Sequence, residues 1–382
     1  MKFNKSIGLY VHIPFCFSKC PYCDFFSIVT DNKQLKKNYL SALRQEMEIY
    51  SQKNKDIEII SIYLGGGTPT TLEGIHLREI LDSCYSNFHI KKGMEITVEG
   101  NPGTIYDEKI KMLLQAGVNR ISLGAQSFNN RILKKIGRIH TKKDIIISYK
   151  LAREAGYKNI NLDIMFGLPG QSKAEFEQTL DEVVLLKPEH ISLYALSVEP
   201  GTPLEYLVKK GKMKLPSDDF SNELFLRAID ILGGYGYEHY EISNFALSEK
   251  KCFHNQIYWK NQSYLGIGAG ASSYIDNKRY QNYRDLNEYV FLLEHGILPI
   301  EFQEVLSWKE RMVETIILGL RMMEGLSKSD FLIKFNVPVE KIFFKPLQIL
   351  IKQGLLEENE TSYFLTTKGI SLANNVFMEF ID

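Results

Sequence analysis

The 382-residue sequence has few cysteines, no net charge and no long apolar run. Five cysteines are too few for a disulfide framework in a chain of this length. Because 46 Lys and Arg balance 46 Asp and Glu, the chain lacks the positive field of a general nucleic-acid or membrane-surface binder. No apolar run approaches the roughly 20 residues that span a bilayer, and the N-terminus lacks a signal-peptide pattern. These absences predict a cytoplasmic protein that has no transmembrane segment and binds no nucleic acid.

The residues that are present indicate a globular α/β protein. The hydrophobic content of 44% and the length fit two or three domains. Short β-rich runs alternate with helical periods over the first 240 residues, which predicts parallel strands joined by crossover helices. The predicted strands are Ile7–Ile13, Ile59–Leu64, Glu95–Glu99, Arg120–Gly124, Asn159–Met165 and His190–Leu196. The predicted helices are Gln34–Gln52, Leu72–Phe88, Asp107–Ala116, Lys142–Ala155, Lys173–Leu186 and Asp218–Leu232.

Polar or glycine-rich residues follow each predicted strand. A barrel builds its site from many strand ends, whereas an open doubly wound sheet builds it at one switch point. Six units are fewer than the eight of a full barrel. We therefore expect a partial (β/α)6 barrel over residues 1–240.

Beyond residue 240 the pattern changes. Residues 241–300, with aromatic and glycine-rich stretches at Tyr237–Phe245 and His254–Tyr274, are expected to close the barrel with irregular elements. The pattern of residues 301–382, helices followed by a small hairpin, predicts a winged-helix-like module. Its net charge of −3, from nine Lys and Arg and twelve Asp and Glu, argues against DNA binding. The predicted elements are helices Met312–Met323, Asp330–Phe335 and Lys341–Gln353, a turn at 359–362, a strand Tyr363–Thr366 and a last helix Thr367–Phe380.

Three of the five cysteines lie within eight residues, as Cys16, Cys20 and Cys23. The spacing C-x3-C-x2-C on a loop after the first strand lets three thiolates bind three corners of an iron–sulfur cube. Zinc would ordinarily need a fourth ligand, and no suitably spaced residue follows. His12 is a poor fourth ligand because it lies within the predicted strand. The pattern predicts a [4Fe–4S] cluster with one open iron.

The cysteine loop, with Tyr22 before its last cysteine, resembles that of the radical S-adenosylmethionine (SAM) superfamily. In that superfamily the open iron binds SAM, which is cleaved to a 5′-deoxyadenosyl radical. Further motifs resemble the branch that contains oxygen-independent coproporphyrinogen III dehydrogenase, and within it the HemW haem chaperone family. These motifs are residues 10–16, 65–70, 99–102, 122–128 and 161–169.

The resemblance implies a set of SAM-binding residues, which are Tyr10, Tyr22, Gly66, Gly67, Thr68, Glu99, Gln126, Arg138, Asp163 and Ala195. The residue types also permit structural roles. The glycines can form a tight turn, Glu99 and Asp163 can form buried salt bridges, and Arg138 can be exposed. A buried carboxylate without a partner is costly, so ribose hydroxyls or an ammonium group would satisfy the two acids.

Two differences from the dehydrogenase bear on function. Its fourth cysteine, two positions after the third, is Phe25 here, and only nine residues precede Tyr10, where the dehydrogenase has a long extension. In addition, residues 254–259 read H-N-x-x-Y-W, a motif of the HemW branch. Imidazole is a common haem ligand, so His254 is a candidate ligand, with Tyr258 and Trp259 as stacking partners. Cys252 is an alternative ligand, and a purely structural role for His254 stays open.

The sequence thus predicts a haem chaperone that binds a [4Fe–4S] cluster, SAM and haem and delivers haem to recipients such as respiratory enzymes. A radical-SAM oxidoreductase acting on a porphyrinogen is the alternative, and a nucleic-acid-binding regulator is a weaker one. Catalytic residues, productive SAM cleavage and homodimer formation stay open.

Overall fold

The computed structural model describes residues 5–53 and 55–381. A twelve-stranded sheet carries six central parallel strands, which we label β1 to β6. All six strands predicted from the sequence are present, with the first extended at its start and the second and third at both ends. Their bounds are β1 Lys5–Ile13, β2 Ile57–Gly66, β3 His89–Gly100, β4 Arg120–Gln126, β5 Ile160–Phe166 and β6 His190–Ala195.

The six strands pair in chain order, each parallel to the next. Helices cross from each strand to its neighbour, and two of them begin with a capping box, at Thr141 and at Ser172. This arrangement confirms the predicted α/β partial barrel. The helices are Lys33–Lys53, Gly74–Asn87, Asp107–Gln115, Asn130–Lys135, Lys142–Ala155, Lys173–Leu186, Pro203–Lys209 and Asp218–Gly234, with a 3-10 turn at Pro69–Thr71.

The expectation of irregular elements in the segment beyond residue 240 was wrong. Tyr264–Ile267 forms a seventh parallel strand, β7, which pairs with β1 on the side opposite β2. β7 and the other strands of this segment are short, so their pairing depends on tertiary contacts rather than on a local sequence pattern. The other elements of this segment are strands Glu238–Glu241, Asn244–Ala246, Ser272–Ile275, Lys278–Asn282 and Ile300–Val305 and helices Phe253–Trp259 and Leu286–Glu294.

The sheet remains open as a barrel. Strand Ile300–Val305 lies at one end of the strand order and Glu238–Glu241 at the other, and the two are not paired. Side chains alternate along each strand. On β4, Ile121, Leu123 and Ala125 pack in the main hydrophobic core, whereas residues 120, 122, 124 and 126 line the interior of the barrel.

The C-terminal segment is a winged-helix-like module with a hydrophobic core of its own, from Met312 to Phe380. Its first helix ends at Gly319, four residues before the predicted end, and Leu372 divides the last predicted helix in two. The helices are Trp308–Gly319, Lys328–Phe335, Val339–Lys352, Thr367–Ser371 and Ala373–Met378, and the small sheet contains Leu326–Ser327, Leu356–Glu358 and Ser362–Leu365.

No helix in the described ranges is long and apolar enough to cross a membrane.

A buried carboxylate fastens the first helix to the loop after β7. Glu46 is fully buried and accepts hydrogen bonds from the Gly268 amide at 2.8 Å, Asn282 Nδ2 at 2.7 Å and the Tyr289 hydroxyl at 2.5 Å. Burial raises the pKa of Glu46 to about 7, although the three donors oppose the shift. The fold therefore holds a proton here that the unfolded chain releases at lower pH.

We predict that Glu46→Gln reduces the pH dependence of stability. Because the folded-state pKa is raised, the contribution is fully present below about pH 4.5 and is lost as pH rises through about 7. The loss for the wild type should be on the order of 3 kcal/mol. Chemical denaturation over this range should show a flatter profile in Glu46→Gln, while Glu48→Gln on the exposed side of the same helix should match the wild type. Equal slopes in all three proteins would contradict the prediction.

Candidate functional site

A cavity of about 370 Å³ opens at the carboxyl ends of the barrel strands. Its walls are the cysteine loop on one side and the strand ends and inward-facing strand residues on the other. Twelve of the fourteen predicted site residues line it. They are Cys16, Cys20, Cys23, Tyr22, Gly66, Gly67, Thr68, Glu99, Gln126, Arg138, Asp163 and Ala195.

The three loop cysteines are free thiols, and all are half-buried at this cavity. Cys16 Sγ lies 3.6 Å from Thr68 Oγ1, and the Arg138 guanidinium lies 3.5 Å from Cys20 Sγ. No three His, Cys, Asp or Glu side chains in the described part of the chain converge on a single metal ion. The thiols of a cubane bind three different irons and need not converge on one point. Three thiols on one short loop are the kind of donor set that an iron–sulfur cluster uses.

The glycine loop, residues 65–68 at the end of β2, lies directly against the cysteine loop, residues 16–23. The Gly67 amide donates to Ile13 O and the Thr68 amide to Phe15 O, both at 2.9 Å. A Cβ on Gly67 would lie 2.9 Å from Phe15 O and 3.1 Å from Cys16 Sγ. Gly66 has φ +113°, which strains any other residue. Only glycine therefore allows the two loops to approach this closely.

A polar wall faces the cysteines. Arg138 donates to Asn101 Oδ1 and to Gly124 O, each at 2.6 Å, and Asn101 Nδ2 donates to Thr68 Oγ1 at 2.8 Å. Gln126, at the end of β4, has φ +65°, which is uncommon for a residue other than glycine. Arg138 is thus held by a fixed network and is not an exposed arginine.

Two carboxylates lie deeper in the barrel. Glu99 accepts from the Tyr63 hydroxyl at 2.7 Å and from the Gly66 amide at 3.2 Å. Asp163 accepts from Asn161 Nδ2 at 2.7 Å and from the Ser122 hydroxyl at 3.3 Å. Burial raises the pKa of Glu99 to about 7 and raises that of Asp163 as well. Neither acid forms a salt bridge within 4.0 Å in the described ranges, so both can bind a cationic or hydroxyl-bearing ligand.

Two predicted residues, Tyr10 and His254, lie outside the cavity lining and pack against the ring of Tyr63. Tyr10 stacks on Tyr63 with centroids 6.3 Å apart and is hydrogen-bonded to His12 Nδ1 at 2.9 Å. His254 is buried and stacks on Tyr63 at 5.1 Å. Its Nδ1 pairs with the Ser61 hydroxyl at 2.8 Å and its Nε2 with the Tyr258 hydroxyl at 2.9 Å. Both ring nitrogens of His254 are therefore engaged, and burial lowers its pKa to about 3.

The sequence reasoning missed several residues of the cavity floor. They share one signal, which is the two-residue period of a β-strand. Each lies an even number of residues from a predicted site residue on the same strand, so its side chain faces the same side of the sheet. Ser122 and Arg120 precede Gln126 on β4, and Asn161 precedes Asp163 on β5. The further lining residues that were missed include Tyr63, Asn101, Ser192, Tyr194 and Asn255.

Comparison with known proteins agrees with this architecture. Residues 10–183 match the radical SAM superfamily, and residues 306–372 match the HemN C-terminal domain. A solved structure of coproporphyrinogen III oxidase (HemN) from Escherichia coli, described as a radical SAM enzyme, has the same fold with a TM-score of 0.86. It is 26% identical, over 99% of this chain and 91% of its own. The fold and the cysteine loop place the chain in the radical SAM class.

Full-length relatives define the family within that class. The haem chaperone HemW of Bacillus subtilis (strain 168) is 37% identical over 97% of this chain and 98% of its own length. HemW of Escherichia coli (strain K12) is 32% identical over 98% of both chains. The chain belongs to the HemW haem chaperone family.

We predict that Gly67→Ala displaces the cysteine loop, because the added methyl group meets the backbone of residues 14 and 15. Iron and sulfide bound per chain after anaerobic reconstitution should fall several-fold. Gly233→Ala is the matched control, since a Cβ there meets nothing within 4 Å. Wild-type iron content in Gly67→Ala would show that the close approach does not govern cluster assembly.

Proposed function

We propose that this protein is a haem chaperone that binds a [4Fe–4S] cluster through Cys16, Cys20 and Cys23, binds SAM in the barrel cavity, and passes haem to recipient proteins. The observation that carries the proposal is that one cavity gathers the three thiols and nine of the ten residues expected to contact SAM. The names of the full-length relatives support the haem function. The protein is proposed to be cytoplasmic, and the proposed recipients are haem proteins such as respiratory enzymes.

The residues of the cavity have complementary roles towards SAM in this proposal. Gly66, Gly67 and Thr68 border the thiols, where the methionyl end would lie. The guanidinium of Arg138 suits the carboxylate. Glu99 and Asp163 suit the ribose hydroxyls and the ammonium group. The adenine side would contact Tyr22, Gln126 and Ala195, while Tyr10 packs beside Tyr63, outside the cavity lining.

The cluster and SAM, when bound, supply the reductive cleavage chemistry that is common to the superfamily. The chain's own residues bind and orient SAM and limit access of water to it. The deep walls are buried, since Thr68, Ser122 and Asn161 are almost fully inaccessible. The protein thus has the means to hold SAM in a dry site, and a haem chaperone can use this occupancy without turnover of a porphyrinogen.

His254 is the proposed ligand of the haem iron. Neutral imidazole is a good iron ligand, and the low pKa of His254 keeps it neutral. Because its Nε2 is paired with the Tyr258 hydroxyl, ligation through Nε2 requires that this hydrogen bond opens. His254 as haem ligand therefore implies a movement of the helix Phe253–Trp259 or of the Tyr258 ring.

The central experiment is anaerobic reconstitution with iron, sulfide, SAM and haem, followed by mixing with a haem-free recipient protein. We predict that the wild type transfers haem and that Cys23→Ala loses the cluster and SAM binding. Cys84→Ala, at a buried cysteine remote from the cavity, should keep both. Absence of haem transfer by the cluster-loaded wild type would refute the chaperone function.

We predict that His254→Ala lowers haem affinity and changes the absorption spectrum of bound haem. Tyr258→Phe should keep or raise the affinity, because it removes the hydroxyl that occupies Nε2. Titration of each variant with haem provides the measurement. Unchanged affinity and spectrum in His254→Ala would exclude His254 as the ligand and leave it a structural role, without bearing on the family.

The similarity to HemN supports a porphyrinogen oxidase as the second candidate. Against it, the position of the dehydrogenase's fourth cysteine holds Phe25, whose side chain is 67% exposed at the cavity rim. Incubation of the reconstituted protein with SAM, a reductant and coproporphyrinogen III distinguishes the two. Formation of protoporphyrinogen would favour the oxidase.

A further inference from the structure

A second pocket, separate from the cavity described above, opens beside the loop that follows β5. Its volume is about 370 Å³, and it shares no lining residue with that cavity. Its polar lining is Lys135, Gln171, Lys212 and Lys214, and we call it the lysine pocket. Among the described residues no Asp or Glu lines it, so the three ammonium groups have no opposing charge in the pocket wall.

Lys135 forms one wall together with the glycine of the loop. Gly170 has φ +67°, and a Cβ built on it would lie 2.7 Å from Lys135 Nζ. The Gly170 carbonyl accepts from the Arg131 guanidinium at 2.9 Å, and Arg131 is paired with Glu175 at 2.7 Å. The charge of Arg131 is therefore already used, whereas Lys135 forms no hydrogen bond or ion pair with any residue that the structure describes.

The other two lysines lie on the segment that follows helix Pro203–Lys209. The amides of Lys212 and Met213 both donate to Leu207 O, at 2.9 and 3.1 Å, and so close the end of that helix. The backbone that carries Lys212 and Lys214 is thereby held in place. Both side chains are exposed, and within the ranges 5–53 and 55–381 neither has a partner.

Gln171 is the residue that distinguishes this pocket from a solvated group of lysines. It is 5% exposed, and its Oε1 accepts from the Leu168 amide at 3.2 Å. This bond identifies the oxygen end of the side-chain amide, and the Nε2 end has no partner among the described residues. Exposed lysines alone indicate no site. A buried donor left unpaired is costly, however, and an acceptor supplied by a ligand would satisfy it.

We propose that the lysine pocket binds the phosphate group of a small anionic ligand. Lysine ammonium groups act as point charges and are common phosphate ligands, whereas a planar carboxylate is matched best by the fork of an arginine. The nearby arginine, Arg131, is already paired. A phosphate offers enough oxygens to accept from three ammonium groups and from Gln171 Nε2. The site lies apart from the residues proposed to bind SAM and haem and does not depend on that function.

The test is equilibrium dialysis of the full chain against radiolabelled inorganic phosphate, with the ionic strength held constant by chloride. The wild type should bind phosphate saturably below about 10 mM. Lys212→Met should bind about tenfold more weakly, because it removes one charge-assisted hydrogen bond. Gln171→Glu keeps an acceptor for the Leu168 amide but replaces the free donor by an anionic oxygen, so it should abolish saturable binding.

Two triple variants that lose the same positive charge separate the pocket from the overall charge of the chain. The pocket variant combines Lys135→Met, Lys212→Met and Lys214→Met. The control variant combines Lys143→Met, Lys150→Met and Lys158→Met. All six lysines are exposed, so both proteins should fold, and the control positions lie outside the pocket lining. The pocket variant should lose saturable phosphate binding, whereas the control variant should match the wild type.

A wild type without saturable binding overturns the proposal. So does a pocket variant that keeps the binding, a control variant that loses it equally, or a folded Gln171→Glu with the wild-type affinity. If Gln171→Glu fails to fold, the exposed lysine variants still decide. Displacement of labelled phosphate by acetate as effectively as by unlabelled phosphate also overturns the proposal. Glycerol 3-phosphate identifies the source of the group, since stronger competition than by phosphate supports a monoester and weaker competition supports the free ion.

Discussion

Two backbone hydrogen bonds, from Gly67 to Ile13 and from Thr68 to Phe15, join the glycine loop after β2 to the start of the cysteine loop. They extend the parallel pairing of β1 and β2 beyond the ends of the strands. They also require a residue without a side chain at position 67. Every other part of the cavity depends on this contact, because it brings the three thiols over the carboxyl ends of the remaining strands. Thr68 then links the thiols to the Asn101–Arg138 network.

The barrel strands and the cavity rim could be predicted from the sequence because both have local signals. Alternating β-rich and helical periods give the six units, and glycine or polar residues mark the strand ends. β7 has no such signal. Its four residues, Tyr264–Ile267, become a strand by pairing with β1 and with Ser272–Ile275, and helix Phe253–Trp259 is too short to produce a clear period. Contacts between distant segments fix these elements, so a reading of local patterns took them for irregular structure.

The orientation of side chains limited prediction of the site. Motifs at strand ends identified the upper cavity, while the floor residues Arg120 and Ser122 lie inside a strand and escape a search for motifs. The sequence motifs group Tyr10 and His254 with the cofactor residues, yet both pack against Tyr63 and lie outside the cavity lining. Neither pattern nor spacing shows which of several packed rings lines a cavity.

The helix Phe253–Trp259 connects the cavity floor to the C-terminal module. At its start, His254 packs on Tyr63, whose hydroxyl holds Glu99. At its end, the Arg321 guanidinium lies 4.3 Å from the centre of the Trp259 ring. A change in the H-N-x-x-Y-W motif therefore acts on two sites, since it can loosen Glu99 through Tyr63 as well as remove the proposed ligand of the haem iron. The two effects are separable because Tyr63→Phe breaks the bond to Glu99 while retaining the ring against His254. Loss of haem binding specific to His254 variants, with SAM binding retained, is the pattern that ligation of iron requires.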